Sequence, residues 1–211
     1  LRALTRQTGT LLILDETHTL SAGVGGYTRA HNLQPDLLTV GKALGGGMAA
    51  GAFGATKEVA ERMFARKDAD YVDVGGIGGT LAGNALSLAA MRATLQNVLT
   101  EKNYARMIAL ATRWAHGVAR AIQEYELPWH VTQLGARAEY RFMPQPARNG
   151  GEAAAAHDEE LEQYMHLFAL NRGILLTPFH NMALMSPATT TRAVDYHSAI
   201  FSQALAQLAN A

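Results

Sequence analysis

The stretch from Leu11 to Gly47, LLILDETHTLSAGVGGYTRAHNLQPDLLTVGKALGGG, constrains the fold more than any other part of the chain. Leu11 to Leu14 are apolar without alternation. A strand buried on both faces reads this way, and so does a short buried helix segment. Two acids follow, Asp15 and Glu16. A second apolar run, Leu37 to Val40, leads into Gly41-Lys42 and then Gly45-Gly46-Gly47. If both runs are strands, an acid stands at the end of one and a lysine just past the next. Ligands of open α/β sheets bind at the carboxyl ends of strands. The pattern predicts a carboxylate and an amine converging on one crevice.

Such a pair suits pyridoxal phosphate (PLP). That cofactor needs a lysine for a Schiff base and a carboxylate to keep its pyridine nitrogen protonated, so that the ring serves as an electron sink. The segments LLILDE, GVGGY, QPDLLTV and GKALGGG, in this order and spacing, closely resemble the signature of the class III aminotransferases. These are PLP enzymes of fold type I, whose members also include aminomutases, a decarboxylase and racemases. The resemblance implies an α/β chain: residues 1–100 from the large, mainly parallel-sheet PLP-binding domain, 101–127 a linking helix, and 128–211 a small C-terminal α/β domain.

The resemblance also implies roles. Lys42 would hold PLP and move the proton between substrate and cofactor, and Asp15 would face the ring nitrogen. Thr17 would pack on the ring, at a place where the family often has valine. Gly79-Thr80 with Gly83-Asn84 match a Gly-Thr and Gly-Asn motif whose threonine binds the cofactor phosphate of the neighbouring subunit. A homodimer with shared active sites follows. The reaction implied is transamination between a small amine and a carbonyl acceptor. Aminomutation of the glutamate-1-semialdehyde type is the alternative.

The residues also carry plainer readings. Lys42 alone would be a surface lysine; its place between a strand and a triple glycine, behind Asp15, sets it apart. Thr80 is a good helix N-cap, and a helix N-terminus offers N–H groups to an anion. Arg137 and Arg141 in GARAEYRF could clamp a substrate carboxylate in bidentate fashion, as could Arg29, with Tyr27, on the glycine loop. Each also reads as an exposed structural arginine. His18 reads as a pocket-wall histidine or a substrate contact, and Glu16 as a residue that fixes the loop.

Composition narrows the field. The 211 residues carry 18 Lys+Arg and 18 Asp+Glu, so nothing electrostatic favours nucleic acid or an anionic membrane. The absence of cysteine excludes disulfides and thiolate metal sites. The eight histidines show no HExxH or other metal spacing. No apolar run approaches the roughly 20 residues of a membrane span, and no signal peptide is visible, so a cytoplasmic enzyme is expected. GKALGGG has its glycines after the lysine, the reverse of a nucleotide phosphate loop. The chain starts at Leu1, with the family's first phosphate loop and ring-stacking aromatic still upstream of this point. It therefore reads as a C-terminal fragment, which also admits an inactive truncated member.

Along the chain, the pattern predicts a helix to Thr8 stopped by Gly9, then a loop over Thr17–Gln34. A strand in Met48–Thr56 and a helix Glu58–Arg66 behind Thr56 come next. Asp68–Gly79 reads as irregular and Leu81–Leu99 as helical. Glu101–Tyr125 reads as one amphipathic helix with Tyr104, Met107, Ile108, Ala111, Val118 and Ile122 on one face. Strands at Trp129–Thr132 and Ala136–Phe142, a linker Pro144–Gly151, a helix Glu152–Asn171, a strand Ile174–Leu176 and a helix Thr191–Ala211 complete the expectation.

Overall fold

Helix α1 (Arg2–Thr8) stops at Gly9, whose left-handed φ of 68° suits glycine. The computed structural model describes residues 1–66, 77–177 and 180–210. They divide into two compact units, Leu1–Glu101 and Lys102–Ala211. In the first unit β1 (Ile13–Asp15) and β2 (Leu37–Val40) pair in parallel, and β3 (Ala52–Ala55) runs antiparallel to β2. Strand β1 differs from the expected Leu11–Leu14: Asp15 is its last residue, and it is not buried on both faces. Leu11 and Ile13 are 49% and 56% exposed, so the face they share lies open.

Asp36, the acid of QPDLL, fixes where β1 begins. Its carboxylate takes both Nη atoms of Arg2, one at 2.8 Å, and the Leu12 N–H at 2.8 Å. The Arg2 guanidinium, helped by that N–H, holds the Asp36 carboxyl down at about 2. No local sequence rule pairs Arg2 with Asp36, because the contact spans 34 positions.

Thr17–Gln34 is not a plain loop. It contains a 3-10 turn, Thr19–Ala22, and a short helix α2 (Gly26–Ala30). Helix α3 (Lys57–Phe64) starts at Thr56, which accepts a hydrogen bond from the Val59 N–H. Lys67 and the irregular stretch expected from Asp68 lie outside the described residues up to position 76. The helical run then begins later than expected, as α4 (Ala85–Asn97). Asn84, not Thr80, is its N-cap and accepts from the Ser87 N–H at 2.9 Å. Thr80 therefore sits on the turn before the helix.

In the second unit α5 (Glu101–Glu124) buries Tyr104, Met107, Ala111, Val118 and Ile122 of the predicted face, together with Leu110 and Trp114, while Ile108 is only half-buried. Strands β4 (His130–Leu134) and β5 (Arg137–Arg141) form an antiparallel pair, and β6 (Met182–Leu184) joins β5 from the other side. Ile174–Leu176 is not a strand. The Gly173 and Ile174 N–H groups bond back to the Leu170 and Ala169 carbonyls, so this segment closes a helix instead. The expected helix Glu152–Asn171 is two helices, α6 (Gly150–Ala155) and α7 (Glu159–Leu170). Asp158 divides them, because its carboxylate accepts from the Leu161 N–H and starts a new helix. The last helix, α8 (Thr191–Ala209), is capped by Thr190. Trp114, Tyr140, Leu205 and Val118 are the largest fully buried side chains among the described residues. Gly117 lets α5 approach α8, since a Cβ there would meet the Ser198 hydroxyl. Among the described residues no helix is long and apolar enough to cross a membrane.

Candidate active site

Because β1 and β2 run the same way, with Asp15 opposite Thr39, Asp15 and the Gly41-Lys42 step emerge at one edge of the sheet. Lys42 opens a 3-10 turn, Lys42–Gly45, and holds a left-handed φ of 47°. That conformation costs a residue with a Cβ roughly 1–2 kcal/mol, and such outliers cluster at functional sites. Buried Leu44 roots the turn, and Gly46 at φ 59° reverses the chain after it. Among the described residues the Lys42 amine makes no hydrogen bond or ion pair.

Asp15 is held below the ordinary carboxylate range. Thr17 is the main cause, through its hydroxyl and its N–H, the latter donating to Oδ1 at 2.8 Å. Thr39 and the Lys42 ammonium add to the effect. Asp15 is therefore an anion at neutral pH, within the field of Lys42. A carboxylate has about four lone-pair sites, so Asp15 keeps acceptor capacity beyond the Thr17 N–H. Thr17 also stands beside the lysine step, since a Cβ at Gly41 would lie 3.7 Å from its Oγ1. An anion, an uncommitted amine and a small side chain between them fit a pyridoxal ring: the anion at its nitrogen, the amine at its carbonyl.

Glu16 faces away from this edge and is buried, at 3% exposure. It accepts from the Tyr27 N–H at 3.0 Å, the Thr28 N–H and the Thr19 hydroxyl. Burial would raise its carboxyl, but these donors outweigh burial and the net direction is down. The anion sits at the N-terminal end of α2, whose free N–H groups it satisfies. Gly26, with φ 67°, is required there, because a Cβ would lie 2.5 Å from Glu16 Oε2. Helix α2 carries Tyr27, stacked on His31 at 3.8 Å between ring centroids, and the exposed Arg29, whose stem lies over Gly25. His18 precedes the 3-10 turn, and its carbonyl accepts from the Ser21 hydroxyl at 3.0 Å.

The structure brings Asp15, Thr17 and Lys42 together. Gly79 and Thr80 lie on a separate turn of the same unit, with Gly78 and Gly79 both at positive φ. Arg137 and Arg141 belong to the second unit and already share an internal anion. Their Nη2 atoms donate to the two oxygens of Glu139, at 3.1 and 3.2 Å, and Glu139 is buried. A substrate carboxylate would meet there a face with one net positive charge rather than two free guanidinium groups. The alternation of residues 137, 139 and 141 on one face of a strand was the available signal for this. The Asn84 cap was equally open to sequence rules, since Asn ranks above Thr as a cap.

A strand-end anion and a lysine on a strained turn stand beside one another on an α/β frame. The class III aminotransferase family model matches residues 1–205, and the chain belongs to that family. Its fold is that of the fold type I PLP enzymes. Proteins named glutamate-1-semialdehyde 2,1-aminomutase match from Thermomicrobium roseum, 35% identical over 84% of this chain and 40% of that one, and from Neisseria gonorrhoeae, 32% identical over 92% and 44%. A crystal structure of a glutamate-1-semialdehyde aminomutase variant from Pseudomonas aeruginosa PAO1, in complex with PMP, superposes with a TM-score of 0.93. It is 47% identical over 98% of this chain and 47% of that chain. An omega-transaminase from Sphaerobacter thermophilus superposes at 0.83 with 26% identity, over 100% of this chain and 47% of that one. The chain thus spans about half the length of the relatives it matches.

Proposed function

We propose that this chain supplies the lysine and the ring-nitrogen carboxylate of an enzyme that moves an amino group on pyridoxal 5′-phosphate. The observation that carries the reading is the placement of Asp15 and Lys42 at the ends of adjacent parallel strands. The bound cofactor would supply an electron sink for a carbanion next to the amino nitrogen. Lys42 Nζ holds the cofactor and, when free, takes and returns the proton at the reacting carbon. Asp15, an anion at neutral pH, keeps the ring nitrogen protonated. Thr17 orients Asp15 through its N–H and covers one side of the ring. Gly79 and Thr80 meet a cofactor phosphate contributed by a second copy in a homodimer. Thr80 is exposed and not spent on capping α4, which is in keeping with that role. In this reading residues 1–100 belong to the cofactor domain, 101–127 link the domains and 128–211 form a small domain whose Arg137 or Arg141 meets a substrate carboxylate.

For the substrate, we infer intramolecular exchange of amine and carbonyl in glutamate-1-semialdehyde. The support is the aminomutase name shared by the matches at 32–47% identity. Transamination between separate donor and acceptor is the second reading, favoured by the transaminase that superposes over the whole chain. One experiment separates them. The full-length protein, loaded with PLP, is given glutamate-1-semialdehyde alone. Formation of the isomer with the two groups exchanged supports the aminomutase reading. Turnover only when an amine and a keto acid are both added supports transamination. No turnover either way, with no visible absorbance from bound PLP, would sink both.

A further inference from the structure

Helix α4 touches the segment after Lys42 at both of its ends. In its first turn the Ser87 hydroxyl donates to the Ala49 carbonyl at 2.9 Å. In its last turn Thr94, buried at 6% exposure, puts Oγ1 2.5 Å from where a Cβ of Gly46 would stand. Asn84 holds Ser87 in turn. Its Oδ1 accepts from the Ser87 N–H at 2.9 Å, and its Nδ2 donates to Ser87 Oγ and to the Leu81 carbonyl, both at 3.1 Å. A continuous relay therefore runs from Leu81, the neighbour of Thr80, through Asn84 and Ser87 to Ala49. A helix cap needs only the Asn84 oxygen and the Ser87 N–H. The bond from Ser87 to Ala49, across 38 positions, adds nothing to a cap.

The segment that this bond holds begins at a strained residue. Lys42 keeps its left-handed φ of 47° only if its surroundings over-determine the turn. Gly45, Gly46 and Gly47 have no side chains with which to hold it themselves. Buried Leu44 roots the first part of the turn; the glycines after it are restrained from outside, and Ser87 and Thr94 are where they and Ala49 meet α4. We propose that Ser87, oriented by Asn84, is a positioning residue for Lys42. It fixes the glycine turn so that Nζ stays directed at the Asp15 edge, and it ties this turn to the one that carries Thr80. The proposal rests on the reading of Lys42 as the amine that holds the cofactor.

The test compares the full-length parent with Ser87→Ala and Ser87→Thr. Alanine is the better helix former, so a general loosening of α4 is not expected. Loss of one hydrogen bond should speed amide hydrogen exchange over residues 42–49 of the cofactor-free protein roughly fivefold. Ser87→Thr should restore the parent rate. With PLP added, borohydride should fix the cofactor to Lys42 several-fold more slowly in Ser87→Ala, as read by peptide mapping, and threonine should again rescue. Faster exchange spread evenly over α4 and the sheet, or Ser87→Ala labelled at Lys42 as fast as the parent, would overturn the proposal alone. A parent labelled at some other lysine would overturn the reading of Lys42, and this proposal with it.

Discussion

Asp15 and Lys42 show how far single residues were legible. Each follows an apolar run, and the carboxyl end of a strand is where ligands of open α/β sheets bind, although the run before Asp15 leaves Leu11 and Ile13 open rather than buried on both faces. The strain at Lys42, φ 47°, left no mark in the sequence, since lysine gives no sign of a left-handed backbone. Lys42→Ala in the full-length protein should leave the fold intact and abolish covalent attachment of PLP. Borohydride reduction and peptide mapping of the parent should find the pyridoxyl group on Lys42; finding it on Lys57 would refute the assignment. Asp15→Asn should keep PLP bound but slow turnover about a hundredfold or more, because a neutral amide cannot hold the ring proton. Single-turnover kinetics measure this, and a near-parental rate would remove Asp15 from the ring nitrogen.

At the scale of elements, the deciding interactions were short-range for some boundaries and long-range for others. Thr56 caps α3 as its place in the sequence implies. Asp158 splits one expected helix into two by the same chemistry, and there the apolar periodicity on either side masked the cap. The Thr17–Gln34 stretch could not be read as partly helical, because its helix depends on the buried Glu16 anion rather than on propensity. The strand expected at Ile174–Leu176 failed for a similar reason: backbone bonds to Ala169 and Leu170 claim that segment. These readings give a prediction for α2. Gly26→Ala adds a Cβ 2.5 Å from Glu16 Oε2 at φ 67°. It should destabilise the protein by roughly 1–3 kcal/mol and free the Tyr27 and Thr28 amides to exchange. Gly54→Ala on β3, where nothing lies within 4 Å, should change little. Denaturant titration of both variants checks this; equal effects would mean that Glu16 does not anchor α2.

At the scale of the whole chain, the two units should respond to acid in different pH windows. In the second unit His197 is buried against Trp114 and Phe201, with no partner for its Nδ1 among the described residues. Desolvation alone lowers it from 6.5 to about 4. It is neutral in the folded state, and the unfolded chain binds its proton first as pH falls. The stability of this unit is therefore fully present above about pH 6.5, declines as pH falls towards 4, and declines no further on this account once the folded form also protonates. A shift of that size corresponds to about 3 kcal/mol. In the first unit the groups held down are carboxylates, Asp15, Glu16 and Asp36, the last at about 2 beside Arg2. The contribution of Asp36 is present above the unfolded carboxylate value near 3.8 and is lost as pH falls through about 2. Titration of the emission of Trp114 and Trp129, the two tryptophans of these 211 residues and both in the second unit, should show loss of denaturant resistance between pH 6.5 and 4. His197→Leu should flatten that window, because it removes the titrating ring and keeps an apolar side chain in its place. A parent whose denaturation midpoint by tryptophan emission is constant from pH 7 to 4, or a His197→Leu variant with the parental slope, would show that another group controls the acid response of this unit.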